Sequence, residues 1–525
     1  MAMFAHRPRR SVHQVRLLVA AALLTVGSLT ACSGTAEEGG GGDDAVLTMA
    51  VAAPPTLDPY KANIDLNNIP TVALAYAPLI RMNADRTFTG ELAESFGYVD
   101  RQNKVFQLKL RPGLTFADGT PLDAPAVVKS LEYMRTVSPK AKTWAATIAS
   151  ITAPDAATVV VTNSSPNPVM RQLFSQAILS GSVVSPAGLT DPGQLAQRTF
   201  GAGPYQLDPA GTVAGDHYTY LPNPRYWNKD GQHWKKVVVR VLPDANATVQ
   251  AIQAGQIDYA ALNADAGPAV AAAGLKHITA SVAVLGMVLA DRDGTVAAPL
   301  RDVRVRQALN HAIDRATIAK TIFGEFAHPT SQIAAPGFDG YQAALDDRYP
   351  YDPDRAKALL TEAGYPNGFT VKAEAHTPGI AAVAQVVAGQ WKKIGVTVEL
   401  TTDTQVPQWL EHVMSRKFPV TAFGYGNLPT YLSSLDFMRP VANPFNPYAT
   451  DDAQLRQALD RAIAEPDPAT QAGLFQQAVA RLTDLAWFAP VVRMDGIAVT
   501  GSRVAPLEAA ADNGLPSVVT VRPAT

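Results

Sequence analysis

Residues 106–131 read FQLKLRPGLTFADGTPLDAPAVVKSL. Phe106, Leu108 and Leu110 alternate with Gln107 and Lys109, the period of a half-buried strand. Pro112-Gly113 and Asp118-Gly119 are turn pairs. Asp123 stands where a helix cap belongs, and Val127, Val128, Leu131 and Met134 fall on one face of a helix over 124–135. A strand, two tight turns and a helix start in one short run point to a mixed α/β chain.

The same alternation continues on both sides. Upstream, Val46 to Val51 reads as a first strand. It is followed by Pro54-Pro55-Thr56-Leu57-Asp58-Pro59, where each proline restricts its own φ and its predecessor. A polar stretch from Asn63 to Asn68 leads into a helical segment ending near Ile80. Downstream, Val237 to Leu242 reads as a strand, and a helix ends at Gly255. Leu285 to Asp291 is a further strand, and Val303 to Ile313 carry a helical stripe after Asp302. Asp352-Pro353 starts a helix that stops at Gly364. Ala381 to Ile394 is a helix stopped by Gly395, with a strand from Val396 to Thr401. Gln454 to Ile463 and Gln471 to Leu485 are amphipathic, and Ala489 to Arg493 opens a strand-rich tail. The 525 residues are 47% hydrophobic, with a net charge of −2 and 40 prolines. After the N-terminal leader, about 480 residues are too many for one core, so two or three lobes are expected. Acids and bases are mixed along the chain, so no basic face points to nucleic acid.

GELAESF at 90–96 and the run at 106–131 resemble the signature region of the family 5 extracellular solute-binding proteins, the substrate-binding lipoproteins of peptide-type ABC importers. Leu110-Arg111, Gly113, Phe116, Asp118-Gly119, Pro121-Leu122 and Val127-Val128 keep the family frame. Ala126 replaces its usual aspartate. The resemblance extends through Gly201-Ala202-Gly203-Pro204-Tyr205, Asn223-Pro224-Arg225-Tyr226-Trp227, Gln256-Ile257-Asp258-Tyr259-Ala260, PLRDVRVRQALNHAIDRATI at 299–318 and YDPDRAKALLTEAGYPNG at 351–368. It implies a periplasmic-binding-protein-like α/β fold, two-lobed and of three domains, with a hinge and an interlobe cleft. The expected division is 1–31 signal peptide, 32–44 lipidated cysteine and tether, 45–75, 196–290 and 489–525 lobe I, 76–195 lobe II, and 291–488 lobe III. Hinge crossings are expected near Leu289–Asp291 and Ala489–Val492. Tyr226 and Trp227 are expected to be packing aromatics, and His311 a surface or packing histidine.

The N-terminus reads as an address. Arg7, Arg9, Arg10 and Arg16 precede an uncharged run from Leu17 to Leu29, shorter than the ~20 residues a spanning helix needs. Leu29-Thr30-Ala31-Cys32 resembles the lipobox of bacterial lipoproteins, which implies cleavage before Cys32 and its lipidation. An ordinary signal peptide with an incidental cysteine is the alternative. The position of Cys32 at the end of the apolar run favours lipidation, and as the chain's one cysteine it has no internal disulfide partner. SGTAEEGGGGDD at 33–44 has almost nothing to bury and reads as a flexible tether.

No catalytic constellation is present: HExxH, GxSxG and a P-loop lysine are all missing. The nine histidines show no metal-ligand spacing, so a metal site would have to come from clustering in space. Asp346-Asp347 and Asp451-Asp452 read as solvated loops. The chain is therefore expected to be no enzyme, with no cofactor and no metal. It is expected to be a monomer that binds a small solute or short peptide and works with ABC permease subunits and their ATPases. Its expected place is outside the cytoplasm, held at the cell membrane through the lipid anchor. In peptide-binding members of the family, a Gly-Trp-x-x-Asp segment pairs its aspartate with the ligand α-ammonium. Here the matching segment runs from Ala422 to Tyr431, with Tyr425 at the aromatic position and Leu428 at the aspartate position. A shifted loop would let another acid, such as Asp436, supply the charge. The ligand-binding candidates are Tyr425, Asn427 and Tyr431, with Asn67 for the lobe I wall. A non-peptide solute such as a metal chelate or glycoside is the alternative ligand. An envelope interaction or chaperone protein and a hydrolase are the further readings.

Overall fold

The computed structural model describes residues 45–507 and 515–524, apart from positions 84, 139, 140 and 404. Cys32 and the tether lie outside the described residues. Among the described residues, no helix is long and apolar enough to cross a membrane.

An eleven-stranded sheet forms the backbone of the molecule. Two long antiparallel strands, Lys276–Leu289 and Phe488–Thr500, run through its middle. The outer side of Phe488–Thr500 pairs with Tyr259–Asn263 over Thr500 to Gly496, and the sheet continues from there through Val46–Val51, Lys236–Val241, His217–Pro222 and Tyr205–Leu207. The outer side of Lys276–Leu289 pairs with Val420–Gly426 over Ala283 to Leu289. Beyond that lie Phe369–His376 and Val396–Asp403, both parallel to it. The two long strands thus change outer partners near Ser281–Ala283 and Met494–Gly496, and a register shift between Ser281 and Ala283 marks the place. Leu289, near the first expected hinge crossing, is the last residue paired with Val420–Gly426, and Ala489, near the second, pairs with Met287.

Residues 93–163 build a separate four-stranded sheet, which holds the signature run. Val105–Leu110 is its strand, and the helix spans Ala124–Val137. The Asp123 carboxylate accepts from the Ala126 amide at 3.0 Å, a cap worth about 1 kcal/mol. Glu91 of the same motif accepts from the Tyr226 hydroxyl at 2.9 Å and pairs with Arg81. Tyr226 is buried, and Arg111 lies over the ring of the more exposed Trp227.

Three expectations change. The strand read as 285–291 starts nine residues earlier, at Lys276, where alternating polar residues disguise it. The strand-rich tail expected from Ala489 is one strand, Phe488–Thr500, beyond which the described residues carry a short 3-10 turn at Val518–Thr520 and an isolated bridge, Val504 to Pro523. Asp346 is no solvated loop residue: it accepts from Thr330, Gln332, Tyr341 and Arg493.

Candidate functional site

The crossing of the two long strands gathers polar groups that an apolar sheet would exclude. Val284 pairs with Tyr425 on one side and Arg493 on the other, so the three side chains stand in one row on one face. Two strand spacings put Tyr425 and Arg493 about 10 Å apart at the backbone. Val284 between them is buried.

At one end, the Tyr425 ring lies 4.4 Å from Phe437 and meets Phe445 edge-on at 5.2 Å. Its hydroxyl donates to Asp436 Oδ2 at 2.7 Å. Burial, and then the Asp436 charge, push the phenol well above its ordinary range. Asn427 follows the last strand residue. Its amide N–H donates to the Val282 carbonyl at 2.8 Å and its Nδ2 to Ser281 Oγ at 2.9 Å. Its Oδ1 is buried with no hydrogen-bond partner. Leaving such an acceptor unpaired costs about 1–3 kcal/mol, which a ligand donor would recover.

At the other end, Arg493 is 8% exposed and donates through Nη1 to Asp346 Oδ1 at 2.5 Å. Its Nε is buried with no partner. Tyr341 donates to the second oxygen of Asp346 at 2.7 Å, which fixes the carboxylate. Asp495, two residues along the strand, holds His328 Nε2 at 3.1 Å, and this bond raises the His328 imidazole above its usual value. The row therefore ends in the Tyr425 hydroxyl, bonded to the Asp436 carboxylate, on one side and in the Arg493 guanidinium, with its Nε unpartnered, on the other, and Asn427 with its unpartnered Oδ1 comes two residues after Tyr425.

The sequence candidates divide. Tyr425 and Asn427 lie at the crossing. Asn67 belongs to a loop that reaches it: Leu66, Val282 and Leu515 converge on Gly496, where a Cβ would sit 2.8 Å from Val282 Cγ1 and 3.0 Å from Leu515 Cδ1. The Asn67 side-chain oxygen accepts from the Ala52 amide at 2.9 Å, which ends the first strand. Tyr431 is 3% exposed and is taken up in packing: its hydroxyl meets Thr147 of the segment beside the four-stranded sheet. Burial raises the Tyr431 phenol, against the influence of Arg439 and Thr147. His311 packs edge-on against Tyr349 with Nδ1 3.0 Å from the Pro350 carbonyl. Arg493 and Ser281 were missed. The signal for Arg493 is visible in FAPVVRMDGIAVT, where Arg493 and Asp495 interrupt an apolar strand on one face. Away from this row, Glu374, Asp403 and His412 are the one group of potential metal ligands among the described residues with ligand atoms all within 4.8 Å of one another.

The family model for bacterial extracellular solute-binding proteins, family 5 (middle), matches residues 87–448. The chain belongs to that family, and as such is a solute-binding protein of the ABC-importer type and not an enzyme. It is similar to the glutathione-binding protein GsiB of Escherichia coli K12, at 27% identity over 352 residues, which are 66% of this chain and 67% of that protein. Its fold is similar to that of NikA from Brucella suis in complex with Fe(III)-EDTA, with a TM-score of 0.76 at 20% identity, covering 92% of this chain and 100% of the other. It is also similar to that of DppA from Helicobacter pylori in complex with the peptide STSA, with a TM-score of 0.73 at 19% identity, covering 91% and 98%.

Proposed function

We propose that the chain is the membrane-anchored substrate-binding protein of an ABC importer. It captures a peptide or peptide-like solute between lobes I and III and delivers it to permease subunits served by ATPases. The observation that supports this most is the pair of unpartnered buried groups that flank the strand crossing: Arg493 Nε at one end of the row, and Asn427 Oδ1 two residues past Tyr425, its other end. Such ends suit a solute that offers N–H donors at one end and a carboxylate at the other. Short peptides carry both groups, in keeping with the glutathione-binding relatives and the peptide-bound neighbour. The lobe division proposed is the one read from the sequence, with hinges placed at Ser281–Ala283 and Met494–Gly496, a choice supported by the change of strand partners there.

One observation favours a non-peptide solute. Asp436, the acid that could replace the missing aspartate at Leu428, already accepts from Tyr425. A solute with a neutral donor at that end would leave this bond intact.

Calorimetric titration with short peptides, each with its carboxylate free or amidated, tests the reading. Binding of the free acid, lost on amidation and weakened tenfold or more by Arg493→Gln in a folded variant, is the expected result. Indifference to both changes would remove Arg493 from the site.

A further inference from the structure

The strands Phe369–His376 and Val396–Asp403 run parallel, with His376 in register with Asp403 and Glu374 two residues before it on the same face. The helix Val406–Met414 follows directly and packs back over both strands. Trp409 and His412, three residues apart, fall on its inner side. The Trp409 ring lies 4.1 Å from the His376 ring. His412 Nδ1 comes within 2.6 Å of Glu374 Oε1 and 3.0 Å of Asp403 Oδ2.

An ion pair explains only part of this cluster. The Glu374 side chain is 0% exposed, and its Oε2 has no hydrogen-bond partner. His376 Nδ1 is also buried without a partner, as is the hydroxyl of Thr421, which pairs in register with Glu374. Two carboxylates and an imidazole nitrogen are the donor set that divalent transition metals of the zinc class take at about 2.0–2.2 Å.

We propose that Glu374, Asp403 and His412 bind a divalent transition metal ion of the zinc class, with His376 as the fourth candidate ligand. The ion takes the place of the proton that His412 Nδ1 now shares with the two carboxylates. Lys417 Nζ lies 3.2 Å from His412 Nε2. With the metal on Nδ1 the ring proton moves to Nε2, and the exposed lysine turns into solvent. The rim at His412 is the way in, since its side chain is 17% exposed. Binding releases protons and is weaker in acid. The site stands apart from the Tyr425–Arg493 row and does not depend on the solute assigned there.

Zn2+ and Co2+ titrated into the metal-stripped full chain test the proposal. One equivalent of Zn2+ retained through dialysis is expected, with a visible Co2+ band that Zn2+ abolishes. His412→Ala, at the exposed edge, and Asp403→Asn should each weaken binding tenfold or more while the circular dichroism of the chain is unchanged. Glu374→Gln serves as a third variant that keeps the side-chain volume. No retained metal and no Co2+ band in the wild-type chain would overturn the proposal. Full affinity in all three folded variants would overturn it equally.

Discussion

Tyr425 is the residue where binding and packing can be separated. Its ring belongs to the aromatic cluster of Phe437 and Phe445, and its hydroxyl belongs to Asp436. Tyr425→Ala removes both, so a weaker solute affinity of tenfold or more comes with some loss of stability. Tyr425→Phe keeps the ring and removes the bond from the Tyr425 hydroxyl to Asp436. Calorimetry beside thermal melts should show an altered affinity at near-wild-type stability for Phe, and unchanged affinity in both variants would take Tyr425 out of the site. Asp452 gives a test in pH. It caps a helix at the Leu455 amide at 2.8 Å and takes two bonds from Arg481, which hold its carboxyl below the ordinary aspartate value. A group lowered by folding contributes stability that is full above its unfolded value, about 3.9, and lost as pH falls through the folded one. Asp452→Asn should therefore flatten the acid limb of the melting-temperature profile below about pH 4, and an unchanged limb would contradict the assignment. At this scale the sequence was legible where a residue acts through its neighbours in the chain. Asp123, Asp302 and Asp352 all sit at helix starts with a side-chain oxygen on a backbone amide, whereas Asp452, read as part of a solvated loop, also caps a helix. It was illegible where partners are distant: nothing near Asp346 in the chain announces Arg493, 147 positions away.

The motif at 299–318 is an element whose conspicuous charges turn out to be structural. The helix expected after Asp302 spans Val303–His311, with a 3-10 turn before its cap and a short helix Arg315–Ile318 after it. Its buried arginines bind carbonyl oxygens. Arg306 takes those of Leu300, Arg301 and Leu485, and Arg315 takes those of Thr330, Pro490, Asn310 and Tyr349 together with Asn310 Oδ1. Desolvation lowers both guanidinium groups to about 10. Pro490 lies in the second long strand, so Arg315 ties the helix to the element that carries Arg493. Arg315→Met leaves several buried carbonyls unpaired and should cost about 3 kcal/mol or more by denaturant unfolding. A loss below about 1 kcal/mol would mean that the carbonyls find other partners. The long strands themselves were only half legible. Their apolar halves, Leu285–Leu289 and Ala489–Val492, are continuous apolar runs, as strands buried on both faces are, whereas Lys276–Ser281 is polar because that stretch is more exposed. The pairing change between the halves, where the candidate site lies, cannot be read from either half alone.

At the scale of the molecule, family membership and fold were legible because the motifs that carry them are turns, caps and helix starts, set by local chemistry. The solute was not, because the contacts proposed for it involve Ser281, Tyr425, Asn427 and Arg493, which only the sheet brings together. The membrane anchor rests on Cys32 and its lipobox-like context. Cys32→Ala should release the protein from membranes or block its processing, and a mature form that still requires detergent would contradict the anchor. Enclosure of a small solute at the crossing of the two long strands is tested by native mass spectrometry of the chain purified gently from its own host, beside the Tyr425→Ala and Arg493→Gln variants. A discrete extra mass is expected on the wild-type chain, lost on denaturation and lost or reduced in both variants. An extra mass retained in full by both folded variants, or a bare wild-type chain that no peptide, sugar or metal chelate stabilises, would contradict it.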